Sequence, residues 1–397
     1  MDLFDKCRRF DRAERLIQAD LYPYFRPTSS STSSRVTIDG RELVMIGSNN
    51  YLGLTHDPRV LAAAKNALDQ FGSSCTGSRF LNGTLSLHEE LEERLANFLR
   101  YPAAVTFSTG FQVNLGVIAS IAGKGDIVYC DKDNHASIID ACRLSYADVK
   151  RFRHGDLEDL ENKLKTAKPD AGKLIVVDGV FSMLGGITKL PEIVAIARKY
   201  GARVMVDDAH SVGVLGERGR GTTEHFGMIG PDSGVDIVTG TFSKSLASLG
   251  GFVAASDEVI HFIKHMARSL MFSASISPPN VASALTALNI LESEPEHLTR
   301  LRHNVSKMKK GLDALGFDTM GSQTPIIPIR VGEEIDTFKF AKRIFEEGLF
   351  VNPVVPPAAF VGLVRTSYMA THTQEDLDFT LGVFAKLASH ANVAADQ

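Results

Sequence analysis

From about residue 57 to about residue 285 the chain alternates helical and strand character, and few folds accommodate such a pattern. Apolar residues recur at helical spacing over 57–71 and 86–99. Short apolar runs follow at Ala103 to Phe107, Asp126 to Cys130, Leu174 to Val177, Arg203 to Val206 and Val235 to Val238, with helix-length segments between them. Buried strands alternating with helices predict an α/β fold, a mostly parallel sheet covered on both faces. Ligands of such sheets bind outside the carboxyl ends of the strands, so the residues after each run are the candidates for chemistry.

The flanks read differently. Leu3, Cys7, Phe10, Ala13 and Ile17 recur on one face of a predicted helix within 1–25. Its basic residues are balanced by acidic ones, which favours an arm packing on a partner subunit over a membrane-surface helix. The Ser/Thr run from Thr28 to Ser34 reads as a polar connector, and Asp39-Gly40 between two apolar triplets predicts a hairpin. Beyond about residue 286 come two helical segments, short strands at Ile326 to Ile329 and Leu363 to Ser367, and a terminal helix from about 374. The expected organisation is an arm and hairpin over 1–45, a large domain over 46–285 and a smaller α+β domain over 286–397. A net charge of −4 argues against nucleic acid as the main partner. Cys7, Cys75, Cys130 and Cys142 are too scattered for a zinc site and read as reduced thiols of a cytoplasmic protein. No metal is expected. No signal peptide or membrane-length run is visible, so membrane contact is expected to be peripheral at most.

The strand ends carry the chemistry. The run ending at Val238 leads through Thr241 and Ser243 to Lys244. A lysine buried there loses charge easily and becomes a nucleophile able to form Schiff bases, while the adjacent hydroxyls could hold a phosphate. A surface lysine in a Ser/Gly loop is the plainer alternative. After Phe107, Ser108-Thr109-Gly110-Phe111-Gln112 opens a helix whose free N–H groups would suit an anion, or simply a cap. Asp207 and His210 follow the strand at 203–206; a buried carboxylate there demands a cationic partner, either a ligand nitrogen or a structural salt bridge. His135 could stack on an aromatic ring or cap a helix, Ser182 could reach the same ligand edge, and Arg365 in an apolar strand implies a carboxylate or phosphate partner. Each signal is weak alone. The order phosphate turn, histidine, Asp-x-x-His, lysine, arginine is the set that pyridoxal 5′-phosphate (PLP) uses.

Those residues fall within longer stretches: Gly47 to Leu54, Thr76 to Thr84, Val206 to Gly213, Gly240 to Ser245 and Arg365 to His372. In them the chain resembles the α-oxoamine synthases, fold-type I PLP enzymes of the aspartate aminotransferase-like architecture that join an amino acid to an acyl thioester. Ser-Lys-Ser followed by Ala247 to Phe252, and the block beginning at Arg365, make it most similar to the bacterial serine palmitoyltransferases. The resemblance implies a homodimer that condenses L-serine with a long-chain acyl-CoA, palmitoyl-CoA, to 3-oxosphinganine, the first step of sphingolipid synthesis. It also implies roles for particular residues. Lys244 would carry the cofactor, His135 would stack on its ring, Asp207 would pair with the ring nitrogen and His210 with the ring oxygen. Gly110, Phe111, Thr241 and Ser243 would surround the phosphate, and Ser273 would reach it from the partner subunit. Asn50 would lie near the substrate and Arg365 would take its carboxylate. One departure stands out: Leu184-Gly185-Gly186 occupies a place where relatives usually carry an acidic residue and glycine. The rival readings are a synthase using glycine or alanine with another acyl-CoA or a carrier-protein donor, and a non-catalytic subunit of the same fold.

Overall fold

The computed structural model describes the backbone of residues 1–395 and the side chains up to residue 388. Its centre is a seven-stranded sheet in the order Ala103–Phe107, Gly251–Ala255, Ile237–Thr241, Arg203–Asp207, Lys173–Asp178, Ile127–Asp131, Asp148–Phe152. All neighbours are parallel except Gly251–Ala255, which runs antiparallel to both of its partners. Successive residues of a strand face opposite sides. Leu174 and Val176 accordingly enter one apolar layer with Val128 and Met205, while Ile175 and Val177 enter the other with Tyr129 and Val206. That two-sided burial is why these strands read as unbroken apolar runs.

Two strands escaped the sequence pattern. Asp148–Phe152 is the sheet's edge, exposed at every residue but Phe152, so it carries charges where central strands carry valines. Gly251–Ala255 begins inside a glycine pair that resembles a loop. The strand expected at 235–238 instead spans Ile237–Thr241, with Thr239, Gly240 and Thr241 inside it. A side chain on Gly240 would meet the ring of Phe252 at 2.5 Å, so a small residue is required within the strand itself.

A second core lies over the three-stranded antiparallel sheet Ile326–Gly332, Gly362–Ser367, Asn352–Val354, where Ile327, Ile329 and Val364 pack with Met308, Ile344 and Phe384. The hairpin forms as expected, Arg35–Ile38 against Arg41–Met45, with Asp39 and Gly40 at φ 52° and 72° in the turn. It is not an isolated hairpin. Leu349–Phe350 adds in parallel on one side, and Thr28–Ser31 pairs on the other, so the expected polar connector is partly strand. The N-terminal segment is two short helices, Asp5–Arg8 and Arg12–Gln18. Leu3, Cys7, Phe10 and Ile17 are exposed, whereas Leu16 is buried against Phe338 and Val355.

Candidate functional site

The carboxyl ends of five strands converge on one cavity of about 260 Å³. Its wall includes Gly110, Phe111, His135, Ser182, Asp207, His210, Thr241, Ser243 and Lys244, nine of the twelve residues singled out from the sequence. The other three lie off the wall. Asn50 donates to Thr55 Oγ1 at 2.8 Å, and its own Oδ1 is buried without a partner. Arg365 is buried, with Nε donating to the Ser182 carbonyl at 2.6 Å, Nη1 to Ser367 Oγ at 3.0 Å and Nη2 to Asn49 Oδ1 at 2.9 Å. Ser273 accepts from Gln112 Nε2 at 3.1 Å and does not line the cavity of its own chain.

One end of the cavity is built for an anion. Helix Gly110–Ile121 starts there because Thr109 caps it, its hydroxyl accepting from Gln112 N at 3.1 Å. The first N–H groups and the positive end of the helix dipole therefore face the cavity. Thr241 Oγ1 lies 2.8 Å from Ser243 Oγ and donates to the Gly250 carbonyl at 2.9 Å. A Cβ on Gly110 would come within 2.9 Å of Thr241 Cβ, so glycine lets the helix start sit directly on this hydroxyl pair.

The middle holds the titratable groups. Lys244 is half-buried and forms no ion pair among the described residues; desolvation, partly offset by Asp207 and Asp178, lowers its pKa to about 8. Asp207 Oδ2 accepts from Asn114 Nδ2 at 2.7 Å and Oδ1 from Ala209 N at 2.9 Å. Both donors are neutral, and no cation pairs with this buried carboxylate among the described residues. Asp178 ends the neighbouring strand in register with Asp207 and accepts from the His135 backbone N–H at 2.9 Å. Burial, reinforced by the Asp207 charge, pushes its carboxyl well above the usual range. Burial likewise holds His210 well below the usual imidazole range, with Lys244 and Arg365 adding to the shift. The Tyr51 hydroxyl sits 2.7 Å from His210 Nδ1, which leaves Nε2 for a ligand. Burial pushes the Tyr51 phenol to about 12, so it stays protonated.

Asn114, Tyr51 and Asp178 were not singled out from the sequence. Asn114 left a signal, as the polar exception in the apolar run Val113 to Ile118 four residues after Gly110. Tyr51 left none, because the residue it serves is 159 positions away.

The description "Aminotransferase class I and II" fits residues 41–383. The chain belongs to this family. Within the family it is 48% identical over 393 residues to a serine palmitoyltransferase of Sphingobacterium spiritivorum, covering 98% of each chain. An 8-amino-7-oxononanoate synthase of Thermoanaerobacter pseudethanolicus is 45% identical over 387 residues, 96% of this chain and 97% of that one. Both relatives are α-oxoamine synthases, as the sequence motifs indicated. A solved serine palmitoyltransferase variant from S. paucimobilis, with a bound PLP–myriocin aldimine, superposes with a TM-score of 0.94 at 37% identity. That match covers 99% of this chain and 100% of the other, so the fold-type I architecture holds along the described length.

Proposed function

We propose that this family member is a PLP-dependent serine palmitoyltransferase, condensing L-serine with palmitoyl-CoA to 3-oxosphinganine with loss of CO2. The observation that carries the PLP reading is the pairing of two mutually unpaired groups in one cavity, one buried and one half-buried. Lys244 has its amine biased toward the neutral, nucleophilic form, and Asp207 holds a carboxylate bonded only to neutral donors. A protonated pyridine nitrogen is the cation that Asp207 lacks, and the Gly110 helix start with Thr241 and Ser243 suits a phosphate. The residues present therefore fit the cofactor. When bound, PLP supplies the electron sink for a carbanion at the amino-acid Cα.

The chain's own residues would supply the rest. Lys244 would hold the cofactor and, once displaced, take the Cα proton as general base, for which a pKa of about 8 is well placed. Asp207 would keep the ring nitrogen protonated, and His210 Nε2 would bond the ring oxygen. His135 would cover the ring, and Ser182 would flank it. Arg365 would orient the substrate carboxylate, with Asn50 nearby. Its present bonds to Ser182, Ser367 and Asn49 fix the guanidinium plane before substrate arrives. Ser273 would serve the cavity of a partner copy, which makes the working form a homodimer. No helix among the described residues is long and apolar enough to cross a membrane, in keeping with a cytoplasmic enzyme of sphingolipid synthesis.

The preference for serine and a long acyl chain rests on the likeness to serine palmitoyltransferases. The 45% identical synthase supports a second reading, glycine or alanine with a different acyl donor. CoA release measured with serine, glycine and alanine against palmitoyl and shorter acyl-CoAs separates them. Serine with palmitoyl-CoA should give the highest kcat/KM; a preference for alanine or glycine would move the chain to the sister activity.

A further inference from the structure

We infer that Asn114 is a positioning residue that ties His135 and Asp207 into one hydrogen-bonded unit and, together with the Ser137 backbone N–H, sets which nitrogen of His135 carries the proton. The chain of contacts is short and buried from Ser137 to Asp207. His135 Nδ1 lies 2.8 Å from Ser137 Oγ, Ser137 Oγ lies 2.9 Å from Asn114 Nδ2, and Asn114 Nδ2 lies 2.7 Å from Asp207 Oδ2. Asn114 and Ser137 are each at least 98% buried, so water does not substitute for either.

The directions follow from chemistry. A carboxylate only accepts, so the amide nitrogen of Asn114 must face Asp207. The amide oxygen then faces Thr239 Oγ1, 3.1 Å away, which must donate to it. With one amide hydrogen directed to Asp207, the second goes to Ser137 Oγ, leaving the serine hydroxyl hydrogen free to donate to His135 Nδ1. The Ser137 backbone N–H donates to that same nitrogen at 3.3 Å. Nδ1 is therefore an acceptor twice over, and the proton of the neutral imidazole resides on Nε2. Partial desolvation of the ring lowers its pKa, which favours the neutral form.

Asn114 stands four residues after Gly110, so the helix whose start faces the anion end also sets the carboxylate at the other end. Asp207 is thereby aimed by neutral donors alone. His135 presents a fixed N–H donor from the ring expected to cover the cofactor. This role rests on the PLP reading for its consequence and on geometry alone for the relay.

The test uses 15N-histidine-labelled holoprotein, wild type and Asn114→Ala, compared by imidazole 15N shifts and by PLP retention in equilibrium dialysis. In wild type the His135 signal, assigned by its loss in His135→Gln, should be that of the Nε2–H tautomer. In Asn114→Ala it should move toward a tautomer mixture, and PLP should be held roughly tenfold less tightly, the scale of one lost hydrogen bond to a charged group. Unchanged His135 shifts and unchanged retention, whatever the melting temperature does, would overturn the proposal and reduce Asn114 to packing. Ser137→Ala covers the case in which Asn114→Ala fails to fold. It should disturb the His135 tautomer and leave PLP retention nearly intact, because the Asn114–Asp207 bond survives; an undisturbed tautomer there also refutes the relay. A wild-type protein that shows the Nε2–H tautomer yet binds no PLP would fail the cofactor reading and leave the relay standing.

Discussion

Lys244 is held at a cost that the fold does not recover without its ligand. Burial lowers its pKa from the ordinary lysine value of 10.5 to about 8, so between those values the unfolded chain binds the extra proton and the folded chain does not. Stability contributed by this group therefore rises as pH climbs from about 8 to 10.5, and the full penalty applies below 8. At about 1.4 kcal/mol per unit, the penalty near pH 7 is on the order of 3 kcal/mol. Cofactor-free Lys244→Met should accordingly show a higher urea midpoint than cofactor-free wild type at pH 7, with the gap narrowing toward pH 10. A wild type at least as stable as the variant at pH 7 would refute this account of the lysine. Asp207→Asn tests the opposite partner. It keeps the shape but removes the charge, and losing one member of a buried charged pair costs about 3–5 kcal/mol. Turnover should fall roughly a hundredfold or more while the bound cofactor remains visible; near-normal kcat would remove Asp207 from the proposed role. Asp207 stood out in the sequence because it directly follows an apolar run, and Lys244 because it lies a few residues beyond one. The contacts that support Asp207 and His210 did not, since Asn114 and Tyr51 act across 93 and 159 positions.

At the level of elements, the sheet's interior was legible and its margins were not. Central strands bury both faces and so spell themselves out in Val, Ile and Leu. The edge strand Asp148–Phe152 buries one residue and looks like a polar turn. In the N-terminal segment the periodic residues Leu3, Phe10 and Ile17 are exposed in the single chain, and contact with Phe338 and Val355 identifies Leu16 as the anchor within it. Leu16→Ala should therefore lower stability by about 2 kcal/mol, the low end for a buried leucine at the margin of a core. Ile17→Ala, one residue on and exposed in the single chain, should cost less; equal urea midpoints for the two variants would refute Leu16 as the anchor within the chain. Helix Gly110–Ile121 offers the sharper functional probe. The backbone at Gly110 is not in the left-handed region, so only the approach to Thr241 requires glycine there. In Gly110→Ala the new methyl should push Thr241 away from Ser243 and weaken PLP binding about tenfold, with little change in melting temperature. Unaltered PLP affinity by dialysis would place the phosphate elsewhere.

For the whole molecule, the question is what covers the apolar side chains at the cavity. Phe272, beside Ser273, is 71% exposed. Phe111 and Leu249 are exposed while lining the cavity itself. Exposed apolar side chains bordering a polar site are the mark of an interface, and a second copy of this chain is the occupant that would also bring a Ser273 to each cavity. Ser273 does not line the cavity of its own chain, and among the described residues the only side chain donating to it is Gln112, which leaves its hydroxyl available to another copy. Subunit mixing tests this. Lys244→Ala removes the amine, and Ser273→Asp would set a negative charge against the phosphate; each should be inactive alone, and an active Ser273→Asp homodimer would itself refute the shared site. After exchange, half of the dimers would be hybrids, and in each hybrid one cavity would combine an intact Lys244 with an intact Ser273 of the other chain. The mixture should recover roughly a quarter of wild-type activity if subunits assort at random. Sedimentation of the mixed species with a size tag on one variant establishes that exchange has occurred. Exchange without recovery would mean that each cavity is completed within a single chain, and the exposed rim would then need another partner.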